Sequence, residues 1–475
     1  MTDIVVVGGG GAGLSAAAEA ARLGRKVTLI EKSSRLGGTT AIAVGTLMAS
    51  CTVLQRRAGI ADSPHRHEQE IAQLSGALGL VDNPELRRLL VENVPDSVDF
   101  LASIGVDFIG PLAQPPFPTQ RFYQALPGGR AYVRRLSIAC RRLGVEIRTG
   151  IKADRLLMEA GRVSGVETKG STVRARAVIL ASGDFSANRA MRSELLGPAA
   201  EPFEPINPHS TGDGQRMAVA IGARLALRPD LPAARLVQAR FPAPARASFI
   251  GMLPPLRLVT RAMKFAMTRL PNSLLRPIIL RAAMTALAPE RALYEEGAVL
   301  VNRQGERFAD ELGLPAPEIA RQSQGEAFLV FDARIAEKFN HWPHYVSTAP
   351  GVAFAYVADY QRVRPDICFT GRSSEELAGR IGAPPVALAA TLAKTKLAAP
   401  FHAMGPLKAW LLLTHTGLAV NARLQVLGES DAPIPGLYAA GGAGQGGFNS
   451  IYHGHSLGWA FTSGRLAGRY AAFDT

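Results

Sequence analysis

The first thirty residues change period twice. Ile4-Val5-Val6-Val7 is an unbroken apolar run that stops at Gly8-Gly9-Gly10-Gly11-Ala12-Gly13. An alanine-rich stretch follows to Leu23-Gly24, and a second apolar run, Val27-Thr28-Leu29-Ile30, ends at Glu31. Strand, tight turn, helix closed by a glycine and strand again make a βαβ unit. Residues 84–104 and 131–143 place apolar side chains at helical spacing. Residues 145–181 read as short alternating strands with turns at Ala160-Gly161 and Lys169-Gly170, ending in Ala177-Val178-Ile179-Leu180-Ala181-Ser182-Gly183. Prolines rise and periodicity weakens from about residue 205. Residues 256–288 predict basic amphipathic helices broken at Pro271 and Pro277. The C-terminal part returns to strand, loop and helix: Leu411 to Leu427, then Gly436-Leu437-Tyr438-Ala439-Ala440-Gly441, then a helix from about residue 456. No internal repeat is visible.

At 475 residues the chain has room for two or three domains, and 47% hydrophobic against 19% charged residues describes a packed protein, not a disordered one. Cys51, Cys140 and Cys368 are far apart, odd in number and free of any C-x-x-C pair. That argues against a disulfide framework, a zinc ribbon or an iron–sulfur cluster and fits a reducing compartment. No histidine group has metal-ligand spacing, so no metal is expected. Met1-Thr2-Asp3 leads straight into the first strand without a basic n-region, and no run of 18 uncharged apolar residues occurs. The expectation is a cytoplasmic protein.

Charge refines that picture. The formal net charge is +14, and residues 231–293 alone carry +9: Arg235, Arg240, Arg246, Arg257, Arg261, Lys264, Arg269, Arg276, Arg281 and Arg291 against Glu290. Within 256–288 the basic residues interleave with Leu, Met, Phe and Ile, a pattern of helices that bind a membrane surface or a partner, or of cap helices with a solvated basic face. Few aromatics and no recognised nucleic-acid fold exclude the nucleic-acid reading. A peripheral position on the inner face of the membrane, against anionic lipid, follows as an expectation.

Gly8, Gly10 and Gly13 fit G-x-G-x-x-G between strand and helix, and Glu31 closes the second strand. The glycines allow the turn and the close approach of a pyrophosphate to the helix N-terminus, while the carboxylate accepts from ribose hydroxyls. An acid at that position argues against a 2′-phosphate.

Three further segments accompany the turn: Lys32-Ser33-Ser34-Arg35-Leu36-Gly37-Gly38-Thr39-Thr40, the Ala177–Gly183 strand, and Ile434-Pro435-Gly436-Leu437-Tyr438-Ala439-Ala440-Gly441-Gly442 before the last helix. With Thr211-Gly212-Asp213-Gly214 and Arg307-Phe308-Ala309-Asp310-Glu311 they resemble the fumarate reductase and 3-ketosteroid dehydrogenase flavoprotein family, in order and spacing, over more than half the chain. The resemblance implies an α/β fold: a Rossmann-like FAD-binding domain in two parts, 1–229 and 406–475, around an inserted α+β substrate or cap domain, 230–405. It implies FAD held by Gly8, Gly10, Gly11, Ala12, Gly13, Glu31, Lys32, Gly38, Thr39, Thr40, Ala181, Ser182, Gly183, Asp213, Gly441, Gly442, Ser456 and Leu457. Covalent members carry a histidine just before the residues matching Ala43-Val44-Gly45; residues 33–45 have none, so the FAD is expected to be non-covalent.

The substrate positions divide the resemblance. No arginine follows Arg307-Phe308-Ala309-Asp310-Glu311 until Arg321, Arg240 stands after Gln238-Ala239 where fumarate reductases have a clamp histidine, and Ser456 replaces a clamp arginine before Leu457-Gly458. Only His415, in Thr414-His415-Thr416-Gly417, matches, which disfavours a C4-dicarboxylate. Tyr452-His453-Gly454-His455-Ser456 resembles the catalytic Tyr-Pro-Gly-Pro-Gly stretch of ketosteroid dehydrogenases at Tyr452 and Gly454. The implied catalytic set is Tyr452 as base, Ser456 as polariser of a ketone, His415 as a hydrogen-bond donor, and Tyr123 as a substrate-facing aromatic. His453 and His455 are either assistants of Tyr452 or helix caps; His209 reads as structural, and His65 and His67 as a solvated loop. The implied function is FAD-dependent transfer of hydrogen at a C–C bond next to a carbonyl of a small hydrophobic, steroid-like substrate, with an external electron donor or acceptor. Two rivals remain: an enoate reductase for another acid, and a membrane-surface FAD-binding module without a substrate of its own.

Overall fold

A computed structural model describes residues 2–114, 116–231, 236–243, 253–270, 280, 287–349, 353–450 and 452–475. Its central sheet has six strands in the order Gln425–Leu427, Pro433–Ala439, Ala177–Leu180, Ile4–Val7, Val27–Glu31 and Glu146–Thr149. All are parallel neighbours except the antiparallel edge strand Gln425–Leu427. Parallel strands covered on both faces need continuous apolar runs, and Ile4, Val5 and Val6 are fully buried.

The helix Gly11–Arg22 leaves the central strand and packs along the C-terminal helix His455–Phe473. A Cβ on Gly464 would come within 2.3 Å of Ala12 O, and one on Gly468 within 2.3 Å of Ala16 O, so two glycines one turn apart let the backbones touch. Buried between the helices, the Glu19 carboxylate accepts from Arg22 at 2.8 Å, Arg469 at 3.1 Å and Arg465 at 3.4 Å. This contact points both helix N-termini at one side of the sheet.

Most predicted elements are present: helices Pro84–Ser103 and Gly129–Arg142, and strands Ala153–Glu159, Arg162–Thr168 and Ser171–Arg174 between the two sheet strands of that region. Asn83 caps the first of these helices by accepting from Glu85 N and Leu86 N, with Pro84 at its first position. The expected solvated loop at His65 and His67 is instead the first turn of a helix, Pro64–Ala77, capped by Ser63, with His67 fully buried. A short polar run after a serine and a proline was a helix start.

The second sheet is built on the long strand Phe401–Leu411, paired with Ala327–Asp332, Val237–Arg240, Cys368–Gly371 and Glu204–Pro205. Its ladder therefore includes residues on both sides of the expected domain seams at 229/230 and 405/406. Of the predicted cap helices, Arg257–Arg269 is described; the expected breaks at Pro271 and Pro277 lie outside the described residues. Among the described residues no helix is long and apolar enough to cross a membrane.

Candidate active site

Each glycine of the first turn has a separate task. A Cβ on Gly13 would sit 1.8 Å from Gly8 O, and one on Gly8, whose φ is +111°, would meet Ala181 O at 2.4 Å. These two allow strand and helix to pack. A Cβ on Gly10 would find nothing nearer than Gly37 O at 3.9 Å, so its open side faces the cavity. The glutamate at the strand end is held in place: Glu31 accepts from Gly9 N at 2.7 Å and Ser33 N at 2.8 Å. Thr40 Oγ1 accepts from Gly11 N at 3.1 Å. Lys32 Nζ reaches Asp213 at 2.6 Å and Thr211 Oγ1 at 2.5 Å. Burial works to raise the Asp213 pKa, but Lys32, Thr211 and Arg216 outweigh it and hold the carboxyl far below its usual range.

A cavity of about 1730 Å³ begins at this turn. Gly8, Gly10, Gly11, Ala12, Glu31, Lys32, Gly38, Thr39, Thr40, Ala181, Ser182, Gly183, Asp213, Gly441, Gly442, Ser456 and Leu457 all line it. Gly13 does not; it lies beneath, against Gly8. The open side of Gly10 and the first-turn N–H groups of Gly11–Arg22 fit a pyrophosphate, and Glu31 fits a ribose. The residues present therefore fit a dinucleotide.

Away from the turn, the cavity is walled by Leu236, Gln238, Arg240, Leu287, Leu412, Leu413, His415, Tyr452 and His453. Tyr452 Oη is buried without a hydrogen-bond partner among the described residues, and burial, with Asp82 adding to it, pushes its pKa up to about 12. His415 is 2% exposed with Nδ1 unpartnered; burial, and secondarily Arg228, push its pKa down to about 3, so it is neutral at pH 7. Ser456 Oγ donates to Ser450 O at 3.0 Å, which leaves its backbone N–H, in the first turn of the C-terminal helix, as the group free of an intrahelical partner. His453 is depressed by burial and then by Arg240.

Two expectations are corrected. Tyr123 is fully buried, with its hydroxyl 2.6 Å from Thr52 Oγ1, and it lines no part of the cavity. It packs against Phe108 and is a core residue. His455 forms a buried pair, Nε2 to Nε2 3.2 Å from His67, with its ring edge-on to that of Tyr452. Sequence reading missed that pair because its members are 388 residues apart. It also treated Arg240 only as a lost histidine. In the structure Arg240 Nε is buried without a partner on the cavity wall, and burial lowers its pKa.

A parallel sheet, a glycine turn with a ribose-side acid, and two helix N-termini facing one long cavity define a dinucleotide-binding flavoprotein class. The chain matches the FAD binding domain family over residues 3–234 and 255–458, and it belongs to that family. It is 27% identical over 498 aligned residues to "Fumarate reductase (cytochrome)" of Shewanella frigidimarina, covering 99% of this chain and 77% of that one. It is 26% identical to "4-oxocyclohexanecarboxylate 2-dehydrogenase" of Sinomonas cyclohexanicum, covering 99% and 92%. A 3-ketosteroid-Δ4-(5α)-dehydrogenase from Rhodococcus jostii RHA1, solved with 4-androstene-3,17-dione, superposes with a TM-score of 0.63 at 25% identity, covering 99% of this chain and 96% of that one. The protein is an FAD-dependent oxidoreductase of the fumarate reductase and ketosteroid dehydrogenase type.

Proposed function

We propose that the protein moves hydrogen across the carbon–carbon bond beside a carbonyl in an apolar, ring-sized substrate, with Tyr452 carrying the proton. The observation behind this is that Tyr452 and His415, whose Oη and Nδ1 are buried and unpartnered among the described residues, line the cavity that starts at the glycine turn. Buried polar atoms are unfavourable without partners, and a substrate carbonyl would supply one. Bound FAD, held non-covalently by the residues around Gly10 and Glu31, would supply the hydride acceptor or donor.

The chain's own residues then handle proton and charge. With its pKa near 12, Tyr452 is a phenol at neutral pH, which suits delivery of a proton to the carbon next to a carbonyl. In the reverse direction the same oxygen takes the proton, a harder task that requires the developing enolate to be stabilised. Neutral His415 and the Ser456 N–H would be the donors for that. Leu236, Leu287, Leu412 and Leu413 keep water from the reacting carbons. The named substrates of the Sinomonas enzyme and the Rhodococcus structure, a cyclic oxo acid and a ketosteroid, support the reading by analogy. Anaerobic mixing with 3-ketosteroids, cyclic ketones and their unsaturated counterparts tests it. A substrate should change the flavin spectrum, and Tyr452→Phe should slow that change about 100-fold while leaving flavin and substrate bound. An unchanged rate removes Tyr452 from the chemistry.

Arg240 favours a second reading, reduction of an unsaturated acid. Arg240 Nε is buried without a partner and no carboxylate pairs with this guanidinium among the described residues, which is unfavourable, and a substrate carboxylate would pair with it. One such cation suits one carboxylate, unlike the clamp on two. Arg240→Gln should raise KM for a carboxylated substrate at least 10-fold and leave that of a neutral ketone unchanged. Either reading needs an external electron donor or acceptor.

A further inference from the structure

We infer that the helix Arg257–Arg269 docks the protein on an anionic lipid surface, at the mouth of the substrate cavity. The helix is fastened along one side: Thr260 Oγ1 donates to Asp107, and Arg257 lies against Gly105. At 100° per residue, Met263, Lys264 and Met267 fall within about 60° of Thr260 on that fastened side, and each is partly buried. Leu258, Ala262 and Phe265 fall within about 60° of one another on the opposite side. Leu258 is 83% exposed and Phe265 64%. Arg261 lies about 40° from Phe265 on one flank of this stripe, Arg269 falls within it one turn further on, and both are exposed.

Three physical points select lipid over other occupants. First, the segment around the helix, residues 231–293, carries ten cations and one anion, which repels a second copy of the same face. Second, two large exposed apolar side chains with Arg261 and Arg269 beside them match the interfacial pattern, apolar face into the acyl boundary and cations at the headgroups. Third, Pro255, just before the helix, and Leu287 and Ala288 line the catalytic cavity, so a surface-bound helix sets the cavity's entrance at the interface. An apolar substrate that partitions into lipid would then reach the site without crossing water. Lipid binding itself does not rest on the proposed reaction.

The test is co-sedimentation of the full FAD-loaded chain with vesicles of phosphatidylglycerol and phosphatidylcholine, compared with phosphatidylcholine alone. Binding to the anionic vesicles should weaken about 30-fold in Arg261→Gln/Arg269→Gln, since each basic residue near such a surface contributes roughly a fivefold factor. Leu258→Ser/Phe265→Ser should leave binding that 0.5 M salt abolishes, whereas wild type keeps part of its binding at that salt. Both double variants should keep the flavin spectrum and the wild-type Tm, because the altered side chains lie at the surface. Wild type left in the supernatant at low salt overturns the inference, as does equal binding by all three proteins. A concentration-dependent dimer abolished by Leu258→Ser/Phe265→Ser would assign the face to a second copy and equally overturn it. Substrate turnover is read separately on soluble substrates, so failure of the docking surface and failure of the proposed reaction are distinguishable.

Discussion

At the residue scale, the glycine turn separates what FAD needs from what the fold needs. Gly10→Val places its side chain in the open cavity, since no protein atom lies within 3.9 Å of the added Cβ, and φ there is −78°. The variant should fold with a near-normal Tm and purify without the flavin absorption band. Gly13→Val drives a Cβ into Gly8 O and should lose both flavin and several kcal/mol of stability, the scale of an overpacked core. Calorimetry and absorbance on the pair decide it; a yellow Gly10→Val protein would contradict the assignment. Arg240 offers the opposite balance. Its half-buried charge lacks an anion among the described residues, so Arg240→Met should raise the Tm in the absence of substrate, by the equivalent of about 1 kcal/mol.

At the element scale, the two site-bearing helices are held by Glu19 and by glycines. Burial works to raise the Glu19 pKa, and the hydrogen bond from Arg22 with Arg465 and Arg469 outweighs it, so the carboxyl titrates below its usual range. A carboxyl lowered in the folded state stabilises above its unfolded pKa, and that contribution is lost as pH falls through the folded value. Glu19→Ala should cost about 3 kcal/mol at pH 7, because it strands Arg465 between the helices. Urea unfolding measures it, and a loss under 0.5 kcal/mol would mean that the arginines reach solvent freely. The sequence made the first helix and its sheet legible because local period and turn chemistry specify a βαβ unit. It did not reveal the partnership with Arg465 and Arg469, which depends on where the chain returns more than 440 residues later. The same holds for the cap. Phe401–Leu411 alternates like an ordinary strand, and only its four partners show that it is the axis of the second sheet. The cofactor end of the site was legible because glycines and an acid act through local backbone. The substrate end was not: Tyr123 and Tyr452 are both tyrosines near expected positions, and burial places one in the core and the other on the cavity.

At the scale of the whole molecule, the histidines set the acid limit of the fold. His415 and His455 are both driven to pKa values of about 3 by burial, with Arg228 and Arg121 respectively adding to it, and His67 is depressed well below its usual range by burial, then by His455 and Arg121. Arg121, itself paired with Asp62 and Glu70, holds the positive potential around the His67–His455 pair. Unfolded histidine titrates near 6.5. A basic group depressed in the folded state leaves that state with fewer bound protons between its two pKa values, so stability rises with pH across the interval. The contribution is complete above about pH 6.5 and is lost progressively down to about pH 3. At pH 5 the loss is about 2 kcal/mol for each of His415 and His455, a large share of the 5–15 kcal/mol typical of a folded domain. Glu19 and Asp213 act in a lower window, below the ordinary carboxylate pKa, whereas Asp82, Asp99, Asp184 and Glu290, raised by burial, act above it with the opposite sign and offset part of the slope. Unfolding free energy measured at pH 7.5, 6.0 and 5.0 should fall steeply over the last two points, with flavin released as the fold opens. His415→Gln removes one titrating group and should flatten that slope by about one proton's worth, whatever it does to the stability at pH 7.5. A wild-type curve flat between pH 7.5 and 5.0 would mean that these imidazoles take up protons without opening the fold, and that the cavity wall and the His67–His455 contact tolerate charge.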